Sequence, residues 1–332
     1  MVKKRPSLIA LFLISILLIV GITTIFELFG AQDNVEKAVR IERGDNAATI
    51  GKKLAEAGII KNATNFRLIA KLRDADRNLK PGTYVFTGRN NLWKAITELS
   101  EGKTESIRIT FPEGWSMDRT LKRIEESGLA DYNTLYSAAT DTALVRHLTG
   151  FPLSSLEGFL YPETYFFPVY ASADSLLAIM TKQFFKVLRQ NDIDLREEQD
   201  FYKTLILASI VQKEAGNNDE SATIAGVFAR RLRLGMPLQS CPTVDYILEK
   251  RGIRREVLTI KDTQIDNPYN TYVYPGLPPT PIANPHINAI LAALNPIDRG
   301  FLYFFADNKG NNVFSATFEE HQNKQRNMRH AR

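Results

Sequence analysis

Residues 205–216 read Leu205-Ile206-Leu207-Ala208-Ser209-Ile210-Val211-Gln212-Lys213-Glu214-Ala215-Gly216, and the reading of this run sets the fold. No Pro or Gly falls between about Asp200 and Ala215, Leu and Ala are frequent, and Gly216 stands where a helix C-cap would sit. The run therefore predicts a buried helix that closes on a carboxylate. At helical spacing Glu214 lies over Leu207, Ile210 and Val211. Desolvation there raises its pKa, and the negative end of the helix dipole acts in the same direction. A carboxylic acid still protonated near neutral pH is what acid-catalysed cleavage of a glycosidic bond requires. The helix alone leaves a second reading open: a surface Glu beside Lys213 in the last turn, with no chemical role.

Four further segments bear on the choice. Upstream stands Leu156-Glu157-Gly158-Phe159-Leu160-Tyr161-Pro162-Glu163-Thr164-Tyr165. Downstream come the Ile224 to Leu232 run with its Arg230-Arg231 pair, then Gly235-Met236-Pro237-Leu238-Gln239-Ser240-Cys241-Pro242-Thr243-Val244. Last are Tyr269-Asn270-Thr271-Tyr272 and Gly276-Leu277-Pro278-Pro279-Thr280-Pro281-Ile282-Ala283-Asn284-Pro285. Together and in this order the motifs resemble the YceG-like family of endolytic murein transglycosylases, and the likeness runs from the membrane segment to Phe318. In that family the catalytic acid is the last Glu of a helical motif close to Ala-Ser-Ile-Val-Glu-Lys-Glu, which the resemblance carries to Glu214. Two positions depart from the pattern. Gln212 replaces the first Glu, implying that this carboxylate is dispensable or that an amide meets its role. Cys241 stands where the family usually has Asp, which argues against an acidic partner at that position.

The resemblance implies an α+β fold: a single N-terminal transmembrane helix, a small LysM-like subdomain and a larger mixed α/β catalytic domain. The expected boundaries are 1–7 for a cytoplasmic N-terminus, 8–26 for the anchor, 38–106 for the LysM-like unit, 107–320 for the catalytic domain and 321–332 for a basic tail. Leu8 to Phe26 carries no charge and approaches the span of a bilayer core at helical rise. Lys3, Lys4 and Arg5 precede it while Glu27 and Asp33 follow, so the positive-inside rule puts residues 31–332 outside the cytoplasm. A cleaved signal peptide is the competing reading. It suits the sequence less, because Leu28 or Phe29 would occupy the small-residue position before a cut. With 332 residues the chain is long enough for two folded units. Cys241 is the single cysteine, so no intrachain disulfide exists. The charge of +5 is modest and owes much to Lys324 to Arg332, read as a frayed solvated end, so no nucleic-acid partner is expected.

A weak internal repeat precedes the acid-bearing helix. Arg40 to Gly44 leads to Ala47–Ala57 and Gly58, and Arg108 to Gly114 leads to Met117–Ser127 and Gly128. Each copy reads as strand, glycine turn and amphipathic helix, with apolar positions at Ile50 and Leu54 or at Leu121 and Ile124. By resemblance the first copy opens the LysM-like unit, completed by a helix at 64–73, a strand at 82–87 and a helix at 92–101. Tyr84 and Trp93 are its large candidates for sugar stacking, though both suit a core equally. Further helices are expected at 133–148, 172–190, 200–215, 222–234 and 287–294, with a hairpin turning at Asp307–Gly310. Residues 262–285 form a long Pro-, Asn- and Tyr-rich connection, read as one wall of a cleft.

Besides Glu214, the substrate-site candidates are Glu157, Tyr161, Glu163, Tyr165, Gln239, Ser240, Thr243, Asn270 and Tyr272. Glu157 and Glu163 could complete a two-carboxylate hydrolase or merely orient their loop. The tyrosines suit stacking on or hydrogen bonding to sugars, as do neutral polar loop groups for hydroxyl and acetamido recognition, but both classes also serve cores and turns. Ser100-Glu101-Gly102-Lys103 matches a Ser-x-x-Lys pattern by chance, since no Lys-Thr-Gly accompanies it. The histidines show no metal spacing and there is no phosphate-binding glycine loop, so neither a metal nor another cofactor is expected. The partners implied are peptidoglycan glycan strands, the membrane and peptidoglycan synthases. Competing readings are a hydrolase using Glu214 with Glu157 or Glu163, and a non-catalytic wall-binding division scaffold.

Overall fold

The computed structural model describes Ile19, Gly21, Ile22 and residues 37–102, 106–169, 171–193, 200–216 and 218–330. Among the described residues no helix is long and apolar enough to cross a membrane. The segment expected to do so, 8–26, lies outside them apart from Ile19, Gly21 and Ile22. The chain divides into two compact units, one of residues up to 107 with 166–171, the other of 108–165 with 172–332.

The first unit runs β1 (Lys37–Ile41), α1 (Ala47–Glu56), α2 (Ala63–Leu72), β2 (Gly82–Phe86) and α3 (Leu92–Glu101). Asn46, Asn62 and Asn91 start the three helices, each accepting backbone N–H groups of the first turn on its side chain. β1 pairs antiparallel with β2, Val39 opposite Tyr84. Ile50, Leu54, Phe66, Phe86, Ile96 and Leu99 fill the core. α1 crosses α2 closely at Gly51, where a Cβ would lie 2.8 Å from the Ala63 carbonyl. Tyr84 is a core residue rather than a sugar platform: it is buried, and its hydroxyl donates to the Lys80 carbonyl at 2.7 Å. Trp93 keeps an exposed face with the Arg73 guanidinium 3.9 Å over the ring.

The second unit is mostly helical. β3 (Ser106–Thr110) pairs with β4 (Thr164–Pro168), and the chain division falls within both strands. The helices are α4 (Met117–Glu126), α5 (Tyr132–Thr140), α6 (Thr142–Thr149), α7 (Ala173–Gln190), α8 (Phe201–Glu214), α9 (Asn218–Arg233), α10 (Cys241–Lys250), α11 (Ile287–Leu294) and α12 (Phe318–His330). β5 (Tyr303–Ala306) and β6 (Asn312–Ser315) form an antiparallel hairpin, with Phe304 opposite Phe314. The Asp307–Gly310 turn joins them, Gly310 N–H bonding to Asp307 O at 3.1 Å. α8 is the central helix, packed by α9 and α11, with Leu205, Ala208, Ile210 and Val211 wholly buried. Its interior Ser209 is satisfied twice, donating to Ile206 O at 2.7 Å and accepting from Ile282 N–H at 3.0 Å.

Several expectations need correction. The helix anticipated over 133–148 is two, because Asp141 ends α5 and caps α6 by accepting the Leu144 N–H at 2.7 Å. Thr243, expected among loop groups, lies instead in the helix α10 (Cys241–Lys250), begun by Pro242 in its first turn. The end expected to fray is the helix α12 as far as His330. Lys324 ties it back, donating to Phe314 O and pairing with Glu320, both at 2.7 Å. Gly216 is not a left-handed helix cap: a Cβ there would sit 2.7 Å from the Gly310 carbonyl, so glycine is needed for close approach to the hairpin turn.

Candidate active site

Glu214 closes α8 and is half-buried, with protein crowded around its carboxyl group. Its pKa is pushed up to about 7, first by desolvation. The Ser240 hydroxyl opposes this by donating to Oε1 at 2.6 Å, while the charge of Asp245 raises the pKa and that of Arg231 lowers it. Oε2 has no hydrogen-bond partner among the described residues. One oxygen is thus held and the other left for something else.

Ser240 owes its position to the turn before α10. Gln239 adopts φ +52°, a left-handed conformation that a non-glycine residue adopts at some cost, and its N–H bonds to Thr271 O at 3.0 Å. Ser240 N–H then donates to Thr271 Oγ1 at 3.0 Å, and Thr243 Oγ1 closes the network at 2.7 Å to Ser240 O and 2.9 Å to Thr271 Oγ1. Asn270 is wholly buried and ties together the chain on both sides of it, its amide donating to Thr263 O and Ile265 O and its Oδ1 accepting Tyr272 N–H. Thr243 and Asn270 are thus bound up in shaping the site, both fully buried. Gln239 is exposed, and Tyr272 stands 3.1 Å from Cys241 Sγ, near enough for the Glu214 charge to help raise its pKa.

Sequence reasoning assigned no site role to Arg231 and did not single out Asp245. Arg231 is buried on the α9 face shared with Ile224, Val227 and Phe228. It donates from Nε to Leu302 O and from Nη1 to Leu238 O, each at 2.7 Å. A cation at i+3, i+4 and i+7 from three apolar residues was the available signal. Asp245 lies one turn beyond Cys241 on α10, so its place depended on recognising that helix.

The second carboxylate stands elsewhere. Glu157 is buried with both oxygens engaged, Oε1 accepting Met117 N–H at 2.8 Å and Oε2 the Tyr246 hydroxyl at 3.0 Å. Burial pushes its pKa up to about 7, against these donors and the Lys250 charge. It lines a cavity of about 410 Å³ together with Tyr136, Ser154, Tyr246, Lys250, Arg251 and Tyr269, among others. Glu163 is exposed and accepts Gln183 Nε2 at 2.5 Å. Tyr165 is a core residue whose hydroxyl donates to Tyr161 O at 2.7 Å, and Tyr161 is itself buried against His286. Both tyrosines are thus part of the core packing. Tyr165 points inward by the alternation of β4, whereas Tyr161 lies in the continuously buried stretch 156–162 that precedes it.

Gln212 has a clear partner set. Its amide donates to Glu113 Oε2 at 3.3 Å, and its oxygen accepts His286 N–H at 2.9 Å. The amide thereby joins two loops to the last turn of α8.

The site thus presents a desolvated carboxyl group at a helix end, one oxygen held by Ser240 and the other without a partner among the described residues. The model of the YceG-like family matches residues 39–327, and the chain belongs to that family. It is 29% identical over 299 residues to the endolytic murein transglycosylase of Bacillus subtilis (strain 168), covering 85% of this chain and 82% of the relative. The endolytic murein transglycosylase of Streptococcus pneumoniae serotype 2 (strain D39) is also 29% identical, over 317 residues. There the match takes in 85% of this chain but 56% of the relative, so the chain spans about half that protein's length. Among solved structures, the 2.6 Å crystal structure of a yceG-like protein from Listeria monocytogenes matches with a TM-score of 0.59 at 31% identity, over 88% of this chain and 99% of that one.

Proposed function

We propose that the chain is a lytic transglycosylase of peptidoglycan that cuts the glycan endolytically between N-acetylmuramic acid and N-acetylglucosamine. The observation that carries this reading is Glu214: a proton held to about pH 7 by burial, one oxygen fixed by Ser240, the other unpartnered. Glu214 protonates the leaving oxygen through Oε2. As a carboxylate it then takes the proton of the muramyl 6-hydroxyl while that oxygen closes on C1. One group serves twice because the nucleophile is part of the substrate and no water needs activating. Ser240, donating throughout, stabilises the carboxylate formed midway.

The hydrolase using Glu157 or Glu163 loses support, since Glu157 has both oxygens engaged and Glu163 is exposed and bonded to Gln183. Asp245 favours a different second reading. Its charge acts on Glu214 from α10, so a water-activating pair of Glu214 and Asp245 is the hydrolytic alternative. In the proposed setting, the 8–26 segment anchors the chain in the plasma membrane with the catalytic unit outside. The 38–106 unit is LysM-like, and cleavage ends nascent strands beside peptidoglycan synthases.

The test is digestion of purified sacculi by the full-length protein in labelled water, with the new ends identified by mass. Transglycosylation gives non-reducing 1,6-anhydro ends lighter by one water than hydrolysis products. Reducible ends carrying solvent oxygen would replace this reading with the Glu214–Asp245 hydrolase. Glycan binding with no cleavage would favour a scaffold.

A further inference from the structure

The cavity over Glu157 is a built space with no part in the chemistry at Glu214. Its volume of about 410 Å³ is within the range of small-ligand sites. Every acid around it is already engaged. Glu157 binds Met117 N–H and Tyr246, Glu249 accepts the Ser116 hydroxyl at 2.6 Å, and Asp118 is held by Tyr132 and by Lys122 at 2.8 Å. The cations are not. Lys250 and Arg251 line the cavity, both are exposed, and neither has a carboxylate within 4 Å among the described residues. Lys250 instead stands 5.4 Å from the Tyr246 ring centroid.

The same helix serves both places. α10 begins beside Glu214 with Ser240, Cys241 and Asp245, and ends at the cavity with Tyr246, Ile247 and Lys250. Nine residues of helical rise put Lys250 roughly 13 Å from Cys241 along the axis. An extended peptide gains at most about 3.6 Å per residue, so a peptide of about four residues attached to the sugar at Glu214 reaches the cavity.

We infer that this cavity is a recognition subsite for the acidic peptide carried by the glycan, with a peptide carboxylate paired to Lys250 and Arg251 and the chain laid against Tyr246 and Tyr269. This rests on the proposed function and adds to it: the enzyme reads the peptide as well as the sugar. Two adjacent cations bind a carboxylate through charge-assisted hydrogen bonds more strongly than an amide of the same shape. Glu157 is a positioning residue here, joining α10 through Tyr246 to the start of α4 through Met117.

Two measurements on the full-length protein test it. The first compares KM on peptide-bearing glycan with KM on glycan stripped of peptides. The wild type should prefer the former by about tenfold, as expected for one charge-assisted contact. In Lys250→Ala/Arg251→Ala the ratio should collapse towards one, and Lys250→Arg/Arg251→Lys should keep it. Equal KM values for the wild type, or a preference retained by the alanine variant, overturns the inference. The second measurement is calorimetric titration of a free acidic tetrapeptide and its fully amidated counterpart, which needs no turnover. Binding of the acid only, lost in the alanine variant, supports the subsite even if no cleavage were found and the transglycosylase reading fell. Equal binding of both peptides, or of neither, overturns the subsite and leaves that reading standing.

Discussion

Glu214 and Glu157 are perturbed in the same direction for the same first reason. Burial lifts each to about pH 7, yet the two sites are built for opposite ends. Glu157 spends both oxygens on Met117 N–H and Tyr246 and ties α4 to α10. Glu214 spends one on Ser240 and leaves the other unpartnered. A raised pKa marks a proton that is cheap to hold, whereas an unpartnered oxygen marks one that can be handed over. Only the second distinguishes a working acid from a structural one.

The comparison is most directly broken by matched amides. Glu214→Gln should lower kcat by about 10³-fold, the usual scale for losing a general acid, with the thermal midpoint little changed. Glu157→Gln should stay within about tenfold of wild type, since its amide oxygen can still accept Met117 N–H and its NH2 can donate to the Tyr246 oxygen. Equal inactivity of the two folded variants would erase the distinction.

The pH dependence of stability sharpens it. Each carboxyl binds its proton more tightly folded than unfolded, with pKa about 7 against 4.5. The stability from the neutral buried form is fully present below 4.5 and is lost as pH rises through 7. For the fully buried Glu157 the upper bound is roughly 3 kcal/mol, at 1.36 kcal/mol per pKa unit. Denaturant midpoints should fall between pH 5 and pH 8 in the wild type. They should fall distinctly less in Glu157→Gln, and only slightly less in Glu214→Gln because that site is half open. Identical slopes in all three proteins would mean that neither acid is perturbed as described.

Ser240→Ala probes the one held oxygen. The hydroxyl lowers the Glu214 pKa, so its loss should move the alkaline limb of kcat/KM to higher pH while cutting the maximal rate on the order of tenfold. A limb that stays or moves down would show that this bond does not act on the reacting proton.

How far the sequence was legible follows from what each feature rests on. The acid-bearing helix, the hairpin turn and the buried Ile50, Leu54, Leu121 and Ile124 follow from local periodicity and turn chemistry, and they stand in the structure. The break at Asp141 escaped because a single cap residue interrupts an otherwise continuous helical pattern. α10 escaped because its Pro242 reads as loop unless placed in a first turn. At the site, Ser240 was legible as a motif member, but its bond to Glu214 was not, since the two are 26 residues apart and meet only through tertiary packing. The internal bonding of Thr243, Asn270 and Tyr165 was not legible for one reason. A polar atom in a motif says nothing about direction, and here the loop's own backbone and a neighbouring carbonyl claim it.

The smallest effect concerns Gln212, where an amide replaces the family's first carboxylate of the motif. In this chain that amide donates to Glu113 and accepts from the His286 backbone N–H, so it bridges a carboxylate and a main-chain donor. Gln212→Glu keeps the acceptor but sets a second carboxylate against Glu113. Glu113 is half exposed and can turn towards water, so the cost should be only about 1 kcal/mol, that of one lost hydrogen bond. The sign with pH is fixed by which group carries the extra charge. At pH 8 both carboxylates are ionised and the variant should melt below wild type. Near pH 5 a shared proton restores the donor, and the difference should close. Glu113→Gln in the same background should remove the difference at both pH values, since an amide at 113 can accept or donate. A deficit that persisted at pH 5, or survived Glu113→Gln, would mean that the departure at position 212 is tuned to something other than Glu113.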